Sequence, residues 1–292
     1  MGRIDLRNLN LLFNKEYYQR LGKPDFQNDV IKANKELIHA RFDYEKDFVK
    51  LPVDDIQSFV LKTVYPGLLI GSGNPHGAGD IGDCDEDVNM GFSFDYVSGQ
   101  PFIPGSSVKG VLRSHFKYHT YAVAEILRGN GYADIDEKTV KELEKEIFDN
   151  SDVFFDAVVR RGDAQGKLLD FDFITPHSSA TKNPVPIRII KVVPDVQFEF
   201  RFGISDKEIN GIGFTAEQIM RLFQELILLF GAGAKTNVGY GIFETADVAA
   251  ANRTTQSSGN QKKKEKKKQD KKTNPVQDDM PDWKKKLMGF YS

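Results

Sequence analysis

Helical and strand-like segments are interspersed along the first 250 residues, and this order restricts the fold more than any other feature. Residues 9–60 carry mainly helical spacings of apolar side chains, with a break at Gly22-Lys23-Pro24. The strand-like segments that follow are too numerous for a scheme of parallel crossovers. The sequence therefore predicts an α+β fold in which helices cover an antiparallel sheet, the ferredoxin-like arrangement.

The periodicities also give approximate bounds for the elements. Helices are expected from about Ser107 to Leu127, from Glu137 to Phe148 and from Thr215 to Phe230. Strands are expected at 59–70 with a break at Pro66-Gly67, VNMGFSFDYV, DVFFDAVVR paired with KLLDFDFI, PVPIRIIKVV, VQFEFRFGI and 240–245. Residues 1–60 are predicted to form a helical segment packed on the core, and residues 61–250 the ferredoxin-like domain.

The charge is divided unevenly along the chain. Residues 252–292 hold twelve Lys or Arg against five Asp or Glu, a net +7, so the −2 of the whole chain leaves −9 on residues 1–251. An acidic body argues against indiscriminate duplex binding, which needs a broad basic surface. The lysine-rich stretch QKKKEKKKQDKK has no apolar periodicity, and the sequence predicts a disordered tail over residues 251–292.

Composition excludes several other classes. The single cysteine, Cys84, cannot form an intramolecular disulfide, and with His76 it lacks the further ligands of a zinc site. No run of eighteen apolar residues and no signal-peptide pattern is present, so a cytoplasmic protein without a membrane partner is expected. We predict no cofactor, no metal site and no small-molecule substrate.

The stretch FIPGSSVKGVLR, residues 102–113, is called here the Ser-Ser-Lys segment. Pro104-Gly105 ends the preceding chain, and Ser106 or Ser107 could cap a helix whose N-terminus favours phosphate. Apolar residues then recur as one buried stripe, namely Val108, Val111, Leu112, His115 and Phe116. Lys109, Arg113 and Lys117 step by four along another face.

A solvated helix face would show the same capped start and charged stripe, and this ordinary explanation stays open. It does not account for Gly110, because a glycine inside a helix costs about 1 kcal/mol relative to alanine. Such a glycine suggests that something approaches the backbone closely.

The stretch GAGAKTNVGYGIF, residues 231–243, is called here the glycine segment. It differs from a phosphate-binding P-loop because Ala234 precedes Lys235 and because it follows a long helix instead of opening one. We expect a loop that presents Lys235, Thr236 and Asn237. A glycine helix cap followed by a bulged strand entry is the structural alternative.

Together the two segments resemble the hallmark segments of the RAMP superfamily of CRISPR-associated proteins. VNMGFSFDYVSGQPFIPG and DFDFITPH are further matches, and they resemble the sixth-subunit family of the Cmr, or type III-B, effector complex. The resemblance covers roughly residues 60–247. It implies that the two segments lie close together on a modified RNA-recognition-like fold.

This resemblance also implies a function and partners. The chain would be a noncatalytic subunit near the end of a ribonucleoprotein filament, holding the 3′ part of the guide RNA with its target and contacting neighbouring backbone and small RAMP subunits. Residues carried over as RNA-contacting or loop-supporting groups are Ser106, Ser107, Lys109, Arg113, Lys235, Thr236 and Asn237. His177 is a further candidate for contact with RNA or a subunit.

Two alternatives stay open. RAMP subunits that cut target RNA use an aspartate in the loop before the Ser-Ser-Lys segment, and this chain has Asp80, Asp83, Asp85 and Asp87 there. An endoribonuclease would need such carboxylates to converge on a cation. A structural subunit that binds only proteins is the other alternative. For Gly110, the approaching group could be RNA or the glycine segment itself.

Overall fold

The structure, a computed structural model, describes residues 8–19, 21, 23–48, 56–77, 86–150, 152–175 and 186–246. The helices of this part are α1 (Leu9–Asn14), α2 (Phe26–His39), α3 (Tyr44–Asp47), α4 (Gly105–Tyr118), α5 (Thr120–Gly129), α6 (Glu137–Phe148) and α7 (Ala216–Phe230). The strands are β1 (Gln57–Thr63), β2 (Phe102–Ile103), β3 (Val153–Phe154), β4 (Ala157–Arg161), β5 (Leu169–Ile174), β6 (Ile187–Val192), β7 (Gln197–Gly203), β8 (Lys207–Ile209), β9 (Ile212–Phe214) and β10 (Phe243–Thr245). The predicted lysine-rich tail lies outside the described residues.

The main sheet has the strand order β10-β1-β7-β4-β2, with β3 also paired to β7, and every pair is antiparallel. β5 pairs with β6, and β8 with β9, in separate two-stranded sheets. The predicted α+β class with an antiparallel sheet and helices is therefore confirmed.

Alternation along β7 explains which face of the sheet is buried. Phe198, Phe200 and Phe202 are fully buried, and the ring of Phe202 lies 5.4 Å from that of Phe223 on α7. The intervening residues Glu199 and Arg201 point to the opposite face, as the period of two requires. Burial of these phenylalanines, each contributing about 1.5–3 kcal/mol, fixes the strand register against α7.

The N-terminal helices belong to the same hydrophobic core as the sheet. Phe13 and Leu37 are buried in it, and the side chain of Asn10 donates to the carbonyl oxygen of Phe94 at 2.9 Å. Helices α1 and α2 thus pack against the same core as the sheet, and the predicted division of the chain into segments stays a prediction. Its predicted boundary at residue 60 falls inside β1, which begins at Gln57.

Several predicted elements were wrong in extent or pairing. The helix expected from Ser107 to Leu127 is two helices, which break at His119. VNMGFSFDYV forms only isolated bridges, at Met90 and Phe94, because its backbone hydrogen bonds go to scattered partners, such as Arg188 and Ile70, instead of to one neighbouring strand. β4 pairs with β7 and not with β5, and the last strand begins at Phe243 instead of Tyr240.

Candidate nucleic-acid interface

The Ser-Ser-Lys segment enters α4 through a cap that the sequence did not indicate. The backbone N–H of Gly105 donates to Asp156 Oδ1 at 2.7 Å, and neither Ser106 nor Ser107 supplies a side-chain cap. A Cβ at Gly105 would lie 2.1 Å from the carbonyl oxygen of Phe154, so only glycine fits here. The predicted serine cap was wrong, because the carboxylate of Asp156 caps the first N–H of the helix instead.

Ser106, Ser107 and Lys109 nevertheless lie on the accessible side of this helix start. Both serines are exposed, and Lys109 is partly exposed with its Nζ 5.5 Å from the centre of the Phe154 ring. Among the residues that the structure describes, Lys109 has no ion-pair partner. Its ammonium group is therefore available to an anion from outside the chain.

Arg113 occupies a different environment from Lys109. Its Nε lies 2.9 Å from Glu144 Oε1 and its Nη1 lies 2.8 Å from Asp149 Oδ1. The hydrogen bonds that Arg113 donates to these two carboxylates raise the pKa of its guanidinium group. The expected row of cations is thus interrupted, because Arg113 joins α4 to α6 while Lys117 remains exposed in the next turn.

Gly110 faces open space. No atom of the described chain lies within 4 Å of the position that a Cβ would take. The glycine segment does not approach it, which removes one of the two reasons considered for a glycine in this helix. Within the described residues, therefore, no part of the chain approaches Gly110 closely.

The glycine segment is held by backbone-to-backbone contacts. Ala232 N donates to Gly241 O, Gly241 N to Gly67 O, and Ala234 N to Leu69 O, each at 2.8 Å. Gly241 has φ 69°, and a Cβ there would lie 2.0 Å from the carbonyl oxygen of Ala232. These glycines therefore allow two chain segments to touch at their backbones. Gly231, at φ 78°, also caps the end of α7, which is the glycine helix cap of the structural alternative.

This packing leaves the predicted side chains at the surface. Lys235 and Asn237 are exposed and Thr236 is partly exposed, in a 3-10 turn at Thr236–Val238. Lys235 has φ 59°, a left-handed conformation that is uncommon outside glycine and costs of order 1 kcal/mol. In the described part of the chain Lys235 has no ion-pair partner either.

A polar network that no sequence pattern indicated lies beside the glycine segment. The hydroxyl of Tyr240 donates to Asp172 Oδ2 at 2.9 Å, and Lys191 Nζ lies 2.5 Å from the same oxygen. Burial and the Asp172 carboxylate raise the pKa of Tyr240 to about 12. Burial opposes ionisation of Asp172, but hydrogen bonds from Lys191, the Phe173 N–H and Tyr240 lower its pKa. This carboxylate ties the β5–β6 sheet to the loop.

The helix start of the Ser-Ser-Lys segment and the strand end of the glycine segment lie at opposite ends of the main sheet. Gly105 packs against Phe154 of β3. Phe154 pairs with Phe202 of β7, and Phe202 also pairs with Gln57, the first residue of β1. At the other end, Phe243 of β10 pairs with Thr63, the last residue of β1. Six residues of strand span about 20 Å. Gly105 and Phe243 are thus separated along β1, and the expected proximity of the two segments as a whole stays a prediction.

The remaining candidate site residues either lie in the protein interior or fall outside the residues that the structure describes. Asp87 is buried and accepts a hydrogen bond from the Tyr17 hydroxyl at 3.0 Å. Asp80, Asp83, Cys84, Asp85 and His177 lie outside the described residues. His76 stacks on Phe13 at 3.7 Å, and its ring nitrogens contact the carbonyl oxygens of Phe13 and Val88. Burial lowers the pKa of His76, as suits a structural histidine.

A second buried histidine lies on α4. His115 is 8% exposed, its ring stacks on Phe230 at 4.3 Å, and neither ring nitrogen has a hydrogen-bond partner in the described chain. Burial, with the nearby His119, lowers the pKa of His115 to about 4. The described residues contain no group of three or more potential metal ligands, and no described helix is long and apolar enough to cross a membrane.

Comparison with curated proteins gives two relatives. The CRISPR system Cmr6 subunit of Saccharolobus solfataricus is 28% identical over 173 residues, which cover 55% of this chain and 50% of that protein. The Cmr6 subunit of Pyrococcus furiosus is 27% identical over 204 residues, which cover 49% of this chain and 57% of that protein. The chain thus spans about half the length of the curated relatives it matches.

Comparison with solved structures gives similar proteins. One is a chain of the cryo-EM structure of type III-B Cmr-beta bound to cognate target RNA, at 25% identity, a TM-score of 0.44, and coverage of 66% of this chain and 58% of that one. The other is the crystal structure of Pyrococcus furiosus Cmr6, at 21% identity, a TM-score of 0.41, and coverage of 65% and 98%.

The family follows from the sequence profile. The profile of the RAMP superfamily matches residues 60–244, well over half of the chain and both candidate segments. The resemblance to this superfamily and to sixth Cmr subunits, predicted from the two segments, is confirmed by the profile and by the Cmr6 relatives. The chain is a member of the RAMP superfamily.

Proposed function

We propose that the chain is a noncatalytic RNA-binding subunit of a type III-B CRISPR (Cmr) ribonucleoprotein effector in the cytoplasm. It holds the 3′ part of the guide RNA with its target and contacts neighbouring backbone and small subunits. The observation that carries this proposal is the similarity to two Cmr6 subunits, together with a RAMP profile match that includes both candidate segments.

The strand topology supports an RNA-recognition-like core. Along the chain, β1 is followed by helices and β4, and β7 is then followed by α7 and β10. In the sheet these four strands have the order β10-β1-β7-β4, all antiparallel. Numbered along the chain, this is the 4-1-3-2 order of a ferredoxin-like unit, to which the N-terminal helices, β2 and β3 are additions.

The RNA contacts are proposed at both ends of that sheet. At one end Ser106, Ser107 and Lys109 are accessible, and at the other end Lys235, Thr236 and Asn237 are. Lys109 and Lys235, which have no ion-pair partner among the described residues, provide local phosphate contacts in a body that carries −9, so affinity comes from a few positions. Arg113 acts as a supporting group, because it holds α4 against α6. His177 stays a proposed contact with RNA or a subunit.

The noncatalytic assignment is supported by the environment of one aspartate. Asp87 is fixed in the interior by Tyr17, so its carboxylate is not positioned for chemistry on a phosphodiester at the surface. We expect a complex carrying Asp80→Ala, Asp83→Ala and Asp85→Ala to cleave target RNA at every site that the wild-type complex cuts. Loss of one cleavage product would show instead that this chain is an endoribonuclease.

The binding role is tested in the assembled complex. Lys109→Ala with Lys235→Ala should lower the guide RNA that co-purifies, and should reduce the salt dependence of RNA retention by about two phosphate contacts. Lys32→Ala with Lys138→Ala, which removes two exposed lysines from α2 and α6, is the matched control. Unchanged RNA content, salt dependence and subunit composition in the first variant would refute the proposal.

A further inference from the structure

An exposed aromatic ring stands beside the glycine segment. Tyr65 is 83% exposed, two residues after the end of β1 and therefore at the same end of the sheet as Lys235. Its neighbour Pro66 contacts the glycine segment, since a Cβ on Gly239 would lie 3.5 Å from the ring of Pro66. The loop that carries Tyr65 and the glycine segment thus form one continuous surface.

The base of this ring is firmly held. Gly67 accepts a hydrogen bond from Gly241 N at 2.8 Å, and Leu68 exchanges two backbone hydrogen bonds with Val192, at 3.0 and 2.9 Å. A ring on a fixed backbone loses little conformational freedom when a ligand covers it, which favours binding.

The surroundings of Tyr65 select among possible ligands. Lys235 and Asn237 are exposed on the adjoining turn, and Lys235 keeps a left-handed backbone without an ion-pair partner in the described chain. An exposed ring beside an unpaired cation and an amide is the combination that binds single-stranded nucleic acid, where a base stacks and a phosphate is neutralised. A protein-docking surface would show a wider apolar patch, whereas the other large exposed apolar side chain of this loop is Val238.

We propose that Tyr65 stacks on an unpaired base of the RNA while Lys235 contacts an adjoining phosphate. This inference rests on the proposed function and adds to it a residue and a mode of recognition. Because every base has a π-face, stacking at Tyr65 tolerates any base, and the contact does not depend on the sequence of the RNA.

The test uses the fully assembled complex and measures its apparent Kd for guide RNA at several salt concentrations. Tyr65→Ala should weaken binding by about 5- to 150-fold, the range for loss of one base stack, with little change in salt dependence. Tyr65→Phe should bind like the wild type. Lys235→Ala should lower the slope of log Kd against log salt by about one phosphate contact. Tyr96→Ala removes an equally exposed tyrosine elsewhere and is the control.

Photocrosslinking of complexes that contain 4-thiouridine in the guide distinguishes a failure of the stacking inference from a failure of the proposed function. A crosslink to Tyr65 is expected. Crosslinks at other residues of this chain, with Tyr65→Ala indistinguishable from Tyr96→Ala, would overturn the stacking inference and leave the proposed function intact. Loss of a neighbouring subunit from Tyr65→Ala at unchanged RNA affinity would mean a protein contact and would also overturn it. A chain without any RNA crosslink and without effect of the lysine variants would overturn both.

Discussion

Replacement of His115 by phenylalanine should remove a specific part of the pH dependence of stability. In the folded chain burial and His119 lower the pKa of His115 from 6.5 to about 4. The unfolded chain therefore binds a proton on this residue at a higher pH than the folded chain does. Stability from this group is complete above about pH 7, and it is lost as the pH falls from 6.5 towards 4.

The two pKa values give the magnitude. The linkage relation predicts that protonation of His115 alone lowers the free energy of unfolding by about 2 kcal/mol when the pH falls from 7 to 5. Relative to pH 7, the loss reaches about 3 kcal/mol below pH 4. Phenylalanine has a similar shape and can keep the stack on Phe230. It also removes two buried nitrogens without hydrogen-bond partners, so His115→Phe should raise stability at pH 7 by about 1 kcal/mol.

Urea unfolding at pH 7 and pH 5 measures these quantities in the full chain. The wild type should lose about 2 kcal/mol more than His115→Phe between the two pH values. His39→Gln, which removes an exposed histidine at the end of α2, controls for the loss of a histidine as such. Equal losses in the wild type and in His115→Phe would show that His115 titrates alike in both states, and the reasoning from its burial would be wrong.

Two further predictions concern α4 and the glycine segment. Arg113→Ala leaves the nearly buried Glu144 without its cation and should lower the free energy of unfolding by about 1.5–3 kcal/mol in urea titrations. The control Lys117→Ala should change it by under about 0.5 kcal/mol. Equal effects of the two variants would contradict a structural role for Arg113. Gly241→Ala places a Cβ against a backbone carbonyl at a positive φ and should cost several kcal/mol, while Gly110→Ala should stabilise the isolated chain by about 0.5–1 kcal/mol. A destabilised Gly110→Ala variant in thermal melts would mean that the helix does not have open space there.

Elements specified by neighbouring residues could be predicted from the sequence. α7 was placed within one residue, because its apolar stripe and its capping box of Thr215 and Gln218 lie within the helix itself. The buried stripe of α4 was predicted for the same reason, although Val111 is only partly buried. The exposed Lys235 followed from the polar composition of its loop.

Features that depend on distant residues could not be predicted in this way. The cap of α4 comes from Asp156, and the partner of Arg113 is Glu144 on another helix. No local pattern in the sequence specifies either contact. The break at His119 carries neither proline nor glycine, and the pairing of β5 with β6 depends on which strands meet in the folded chain. The separation of Gly105 from Phe243 along β1 is a property of the sheet topology alone.

Under the proposed function, that separation places the two RNA-contact regions, one around Lys109 and one around Lys235, at different ends of the same sheet. Between them lie β1 and β7, whose paired residues Leu61 and Phe198 are both fully buried. Perturbations this far apart, with no shared partner, should act on binding as independent factors, so the loss from Lys109→Ala multiplies the loss from Lys235→Ala. A ligand that is held at one end keeps its neighbouring part at a high effective concentration near the other end. Under the proposed function the chain would therefore bind RNA at two positions, and two weak contacts would together retain an RNA that neither would retain alone.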